Sequence, residues 1–305
     1  MTQARSGLLI ADKPAGLTSF QCVARLQRLV RPLRIGHGGT LDPAATGVLP
    51  LLIGEATKLM PYLIDHDKEY LATVRLGITT DTLDLTGRVR TTAAVPALTR
   101  AHIDAASRRF IGCIRQAPPM FSAAHHEGQR LHELARQGLE VERRPREVWV
   151  RSIAVESVEL PRVTLRVVCG KGAYVRVLAA DIGEALGTGG AIERLIRTRV
   201  GPFSITGAVP WVKLDEADPL TLAAHLLPPA SALDGYAEMI LDEARTRAVL
   251  HGQSVVVPLD EPGRIVRLYG SDRTFLGVGR VLPARRLKPE RLLRADLPEP
   301  AVVRA

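Results

Sequence analysis

Cysteine is scarce in this chain and carries no pattern. Cys22, Cys113 and Cys169 are odd in number, far apart and free of any CxxC spacing, which excludes a disulfide framework and a zinc ribbon and fits a reducing compartment. All three are expected to serve as small buried hydrophobes. No apolar run approaches the roughly 18 residues that a membrane-spanning helix needs. The polar start MTQARSG has no signal-peptide core, so a soluble cytoplasmic protein without a membrane partner is expected. Familiar catalytic signatures are missing too. The GHGG run at Gly36 to Gly39 is not followed by the Gly-Lys-Ser/Thr of a phosphate-binding loop, no dinucleotide fingerprint follows a strand, and no Gly-x-Ser-x-Gly elbow occurs. His125, His126 and His132 cluster in HHEGQRLH but lack HExxH spacing and a matched carboxylate or thiolate, so no metal is expected there.

What is present points to a folded, basic protein. A chain of 305 residues exceeds one typical domain of about 100–200 residues. With 46% hydrophobic and 24% charged residues, it has enough apolar material to offset the conformational entropy lost on folding. The 41 Lys and Arg outnumber the 32 Asp and Glu, giving a formal charge of +9. Such an excess favours an anionic partner, nucleic acid among them, and equally describes a solvated basic face.

Periodicity places several elements. TSFQCVARLQRLV opens with a capping box, Thr18 with Gln21, and carries Val23, Leu26 and Val30 on one helical face. RIGHGGTLDPAATG, Arg34 to Gly47, has four glycines and a proline without periodicity and reads as a loop of demanding geometry. Tyr70, Ala72, Val74 and Leu76 alternate with Leu71, Thr73 and Arg75 as a half-buried strand, and a second strand runs through Val163, Leu165 and Val167. AYVRVLAADIGEALG gives a helix with Leu178, Ile182 and Ala185 in phase and Gly187 as its stop. Further helices are expected around Ile103 to Phe110 and Leu131 to Gln137. Without regular βαβ alternation, the expected class is α+β, a mainly antiparallel mixed sheet flanked by helices.

After about Leu214 the proline-containing stretch DEADPLTLAAHLLPPASALDGY reads as a linker. Short strands at Val255 to Val257, Ile265 to Leu268 and Phe275 to Val281 then suggest a small β-rich domain. The division is placed at 1–235 and 236–305, the tail from Pro283 reads as loosely ordered, and no internal repeat is found.

Three residues stand out chemically. Asp42 precedes Pro43, which biases it to an extended backbone above the turn built by Gly36, His37, Gly38 and Gly39. It is either an Asx-turn residue or a carboxylate presented from a constrained loop. A carboxylate working in a dry cleft needs a cation beside it. Arg176, flanked by Tyr174, Val175 and Val177 at a strand-to-helix junction, is the candidate, with a purely structural ion pair as the alternative. Tyr70 falls on the apolar face of its strand, as core or as a platform whose hydroxyl handles a proton.

Six segments together, in order, resemble the bacterial tRNA pseudouridine synthases of the TruB family, which modify uridine 55 of the T-loop. They are LLIADKPAGLTS, GHGGTLDPAATGVLPLLIGEATK, DKEYLATVRLGITTDTLDLTG, PPMFSAAHHEGQRLHELARQG, KGAYVRVLAADIGEALG and LIRTRVGPFSI, between Leu8 and Ile205. The resemblance implies the pseudouridine synthase fold with a small C-terminal PUA-like RNA-binding domain. It implies that Asp42 is the catalytic aspartate, Tyr70 the active-site tyrosine and Arg176 the arginine paired with the aspartate. It assigns His37, Tyr174 and Leu195 to the bound nucleotide, and Lys13 and Gly39 to supporting the site. It further implies a monomer acting on the T-arm of tRNA, not on DNA, with no cofactor and no obligatory protein partner. His125, His126 and His132 depart from the family's commoner lysine, apolar and tyrosine residues. Guide-RNA-directed catalysis of the H/ACA type and non-catalytic RNA chaperoning are the rival readings. A glycoside hydrolase would need a second carboxylate such as Asp81 or Asp84, which read instead as loop residues.

Overall fold

The computed structural model describes residues 6–294. The polar start and the last part of the tail, residues 1–5 and 295–305, lie outside the described residues.

The main sheet has ten strands: β1 (Gly7–Lys13), β2 (Ile35–His37), β3 (Thr46–Ile53), β4 (Lys68–Leu76), β5 (Gly112–Gln116), β6 (Arg146–Glu159), β7 (Arg162–Cys169), β8 (Gly190–Val200), β9 (Phe203–Ser204) and β10 (Val209–Pro210). Their spatial order is β10-β1-β3-β8-β4-β7-β6-β5, with β2 beside β3 and β9 beside β8. Most pairs are antiparallel; β1 with β10 and β3 with β8 are parallel. The sheet is therefore mixed and mainly antiparallel, as expected.

One face of this sheet is closed by helices. Thr18 caps α1 (Ser19–Val30), its hydroxyl accepting from Gln21 N at 3.0 Å while the Gln21 side chain accepts from Thr18 N at 2.8 Å, which satisfies two donors a helix start otherwise leaves orphaned. Cys22, Leu26 and Val30 share a core with Leu9, Leu49 and Leu51 of the sheet. Two more helices, α2 (Arg100–Arg108) and α3 (Leu131–Arg136), occupy the expected regions, and α4 (Val175–Ala185) buries Leu178, Ala179 and Ile182. Gly187 ends that last helix at φ +72°.

The opposite face of β1 and β3 is also covered. Leu8, Ile10, Val48 and Leu52 form a second core with Tyr62, Leu63, Phe275 and Val278, the last two from the C-terminal sheet. That sheet comprises β11 (Ala237–Ile240), β12 (Val255–Val256), β13 (Ile265–Tyr269), β14 (Phe275–Leu282) and β15 (Arg286–Leu292), ordered β11-β13-β14-β15-β12.

Four expectations need correction. Ile35–His37, read as loop, is an edge strand paired with Leu51–Ile53. The supposed linker is packed: short helices at Trp211–Asp215 and Pro219–Ala224 and a 3-10 turn at Pro229–Leu233 bury Leu214, Leu222 and Leu233. Two of its prolines, Pro219 and Pro229, stand at the first position of these short helices, where the missing N–H costs nothing. The stretch read as a loose tail forms β15, with Leu287 fully buried. Cys113 is exposed on edge strand β5, unlike buried Cys22 and Cys169.

Candidate active site

The turn that carries Asp42 is pinned from both sides. Lys13, with no exposed surface, donates from Nζ to Leu17 O at 2.6 Å, Pro14 O at 2.8 Å and Pro43 O at 3.3 Å, and Gly16 N donates to Pro43 O at 2.8 Å. The Ser19 hydroxyl accepts from Leu41 N at 2.9 Å. From the other side Arg197 donates to Val48 O at 2.7 Å, Gly39 O at 3.1 Å and Thr40 O at 3.4 Å. Gly39 has φ +123°, a left-handed geometry that glycine reaches without strain.

Held this way, the Asp42 carboxylate meets Arg176 from the first turn of α4. Arg176 Nε lies 2.8 Å from Oδ2 and Nη2 donates to Oδ1 at 3.2 Å, the two-pronged geometry that fixes a carboxylate's position as well as its charge. The guanidinium is itself locked: it donates to Thr82 O at 2.6 Å and Phe121 O at 2.7 Å, and Asp84 Oδ2 stands 3.8 Å away. The Arg176 side chain is 5% exposed against 35% for Asp42, so the cation is walled in while the anion faces an opening.

That opening is a cleft of about 330 Å³ lined by Gly39, Asp42, Tyr70, Tyr174, Arg176 and Leu195, with Lys68 and Arg197 in its wall. Tyr70 is buried, and desolvation pushes its phenol upward while the charge of Arg197 pulls the other way. Tyr174 N donates to Gln116 Oε1 at 2.9 Å, fixing the junction into α4. An acidic group, a locked cation, an aromatic ring and an apolar side chain thus converge on a space fit for a flat, polar-edged ring.

Three family models cover the chain in succession: TruB family pseudouridylate synthase (N terminal domain) over 27–175, tRNA pseudouridylate synthase B C-terminal domain over 176–234, and Pseudouridine synthase II TruB, C-terminal, over 237–293. The tRNA pseudouridine synthase B of Aromatoleum aromaticum is 45% identical over 288 residues, covering 94% of this chain and 92% of that protein. The chain belongs to the TruB family. The protein of the same name in Burkholderia mallei is 44% identical over 297 residues, covering 95% of this chain and 98% of that one. Among solved structures, that of a Cbf5-Nop10-Gar1 complex matches with a TM-score of 0.72 at 25% identity, over 95% of this chain and 85% of that one. The fold is that of the pseudouridine synthases.

Against that TruB family fold, five of the six residues expected to react or to bind substrate, Asp42, Tyr70, Tyr174, Arg176 and Leu195, share one cleft wall. His37 does not line it. Its Nδ1 is buried and unpartnered, and burial followed by the charge of Arg197 lowers its pKa. Asp81 pairs with Arg88 at 3.2 Å away from the cleft. Asp84, read only as a loop residue, instead faces Arg176 and accepts from Thr82 Oγ1 at 2.8 Å, Thr86 N at 3.0 Å and Thr86 Oγ1 at 2.5 Å.

Two buried cations escaped the sequence reading. Lys68 donates to His66 O at 2.6 Å and to Ile64 O, and burial followed by the nearby Arg197 charge pushes its pKa down to about 8. A signal existed: Lys68 is in phase with the buried row Tyr70, Ala72, Val74 and Leu76. Arg197 gave none, because register shifts on either side of it break the alternation of β8. His125 and His126 line a second hollow of about 390 Å³ with Arg143, Arg144 and Arg146, which meets the cleft at Ala124 and Arg146. His132 Nδ1 lies 3.0 Å from Ser122 O. Among the described residues no three His, Cys, Asp or Glu side chains are grouped to hold a metal ion.

Proposed function

We propose that this chain isomerises uridine 55 in the T-loop of tRNA to pseudouridine, with Asp42, Tyr70 and Arg176 as its working residues. The observation that carries the reading is the Asp42 carboxylate, gripped by two nitrogens of Arg176 yet open to a cleft that Tyr70 and Leu195 also line. The reaction breaks the bond from N1 to C1′, turns the freed base and joins C1′ to C5. The C5 proton is lost and N1 gains one, so atoms and electrons balance without an external donor or acceptor.

Asp42 serves by attacking C1′ or by taking the 2′ proton to give a glycal, and both routes need the charged carboxylate in the position Arg176 imposes. Tyr70 stacks on the ring and removes the C5 proton, directly or through water. Leu195 and Tyr174 bound the base. His37 stands outside the cleft wall, so contact with the nucleotide requires the substrate to reach it or the turn to shift. The target base must leave its stack first, at a cost of a few kcal/mol. The net charge of +9 and the arginines beside His125 and His126 favour the phosphate contacts that offset it.

Agreement with tRNA pseudouridine synthases over nearly the full chain supports an enzyme acting alone on tRNA; we further propose that it works in the cytoplasm as a monomer, with the C-terminal sheet as a PUA-like RNA-binding unit. The likeness to a Cbf5-Nop10-Gar1 complex favours one second reading, catalysis directed by a guide RNA and partner proteins. Incubation with a bare, unmodified tRNA transcript separates the two. Pseudouridine at the T-loop position with wild type, and none with Asp42→Asn at undiminished RNA affinity, is expected. Dependence on added guide or protein would overturn the stand-alone reading.

A further inference from the structure

Arg197 is among the largest fully buried side chains of the protein, at 1% exposure. Its three directed hydrogen bonds end on the backbone oxygens of Gly39, Thr40 and Val48. Among the described residues no carboxylate lies within ion-pair distance of it. A desolvated charge without a counter-ion is expensive, and neutral side chains or ion pairs usually take such positions. A purely architectural role does not explain the choice.

Its location does. In the register of the sheet Arg197 of β8 stands opposite Tyr70 of β4 on one side and Gly47 of β3 on the other. From this position between the two strands its side chain reaches the turn presenting Asp42. The register shift between Arg197 and Arg199 turns Arg199 outward to Glu69, at 3.4 Å, and leaves Arg197 pointing in, the re-aiming that bulges beside active sites provide. Gly47, at φ +102°, lets the turn approach so closely that a Cβ there would lie 2.2 Å from Arg197 O.

We propose that Arg197 is a positioning residue for the reaction: it holds the Asp42 turn against the strand of Tyr70 and supplies an unpaired positive charge in the cleft wall they share. The inference rests on the reading of Asp42 and Tyr70 given above. The charged or titratable groups that act on Tyr70 are Arg197 from β8, Cys169 from β7 and Asp42 from the turn, with Lys68 two residues away on its own strand. Of these, Arg197 favours the phenolate, and Asp42 and Cys169 oppose it. Removing Arg197 therefore makes Tyr70 a poorer proton acceptor near neutral pH, while Lys at this position keeps the charge and loses the fork.

The test compares wild type with R197K and R197Q on an unmodified tRNA transcript, measuring RNA affinity and the single-turnover rate at saturating enzyme between about pH 6 and 9. R197Q should lose roughly 10²- to 10³-fold in rate at neutral pH, the scale for removing one preorganised electrostatic contact, with affinity unchanged within about threefold. Because burial holds the Tyr70 phenol above this window with or without Arg197, the R197Q loss should be nearly the same factor at every pH, whereas R197K should lose only about tenfold. Wild-type rates in both variants, a defect confined to RNA affinity, or an R197K rate no better than that of R197Q would each overturn the proposal. Should R197Q fail to fold, R197K decides: an undiminished saturating rate overturns it, and a reduced rate at normal affinity supports it. A wild-type protein that forms no pseudouridine overturns the functional reading and this inference with it; active wild type matched by its variants overturns this inference alone.

Discussion

Replacing Arg176 with Met keeps most of the side-chain volume and deletes the grip on Asp42, so it isolates what the guanidinium contributes. The variant loses two contacts to Asp42 and the donors to Thr82 O and Phe121 O. Breaking a fully buried pair by removing one partner costs about 3–5 kcal/mol. Here the abandoned Asp42 is 35% exposed and water can take over part of its solvation. Asp84 keeps its donors from Thr82 and Thr86. About 2–3 kcal/mol is therefore the better figure for stability. In a protein of this size that lowers the melting temperature by roughly 3–5 °C. The chemical step should suffer more, about 10²- to 10³-fold, because the carboxylate is no longer held for reaction. RNA affinity should stay within about threefold of wild type, since a side chain 5% exposed has almost no surface for phosphate. Differential scanning fluorimetry reads the first quantity, single-turnover kinetics at saturating enzyme the second, and filter binding the third. A folded Arg176→Met protein that turns over like wild type, or whose whole defect is weaker binding, would refute the reasoning.

Gly47→Ala should cost at least about 3 kcal/mol, because the turn needs φ +102° and the new methyl would lie 2.2 Å from Arg197 O; an unchanged urea midpoint would contradict this. Lys13 and Lys68 are both lowered from 10.5 to about 8, chiefly by burial. Between those values the unfolded chain binds more protons than the folded one, so stability should rise with pH from about 8 to 10, by roughly 2–3 kcal/mol per lysine. Lys68→Met should flatten that slope, and equal slopes would refute the assignment. Of the three thiols, only Cys113 should react with an aromatic disulfide reagent in the native state: Cys22 and Cys169 are buried, and burial pushes the Cys169 thiol up to about 12. Labelling of two or three thiols before unfolding would count against this packing.

The parts of the fold that were legible are those where one face is wet. The alternation of β4 and the capping box of α1 show directly which side chains turn inward. Strand β1 carries no such signal, because Leu8 and Ile10 enter one core and Leu9 and Ala11 the other; a segment buried on both sides is only an apolar run. β3 is hidden for the same reason. Strand β15, RLKPERL, has the opposite difficulty: Leu287 is its one fully buried apolar anchor, too little to mark a strand against its charges. Within the cleft, Asp42 and Arg176 were legible through Gly-rich and strand-to-helix surroundings. Asp84 was not, since its contact with Arg176 joins positions 92 residues apart in the chain.

Phe275 and Val278 press into the rear of the main sheet beside Leu8, Val48 and Leu52, and Tyr62 Oη donates to Glu290 Oε2 across the same seam at 2.8 Å. The smaller unit is therefore bolted to the larger rather than tethered. Any rod-shaped ligand long enough to touch both encounters a caliper of fixed gauge, and its length and curvature become criteria of fit before any base is read.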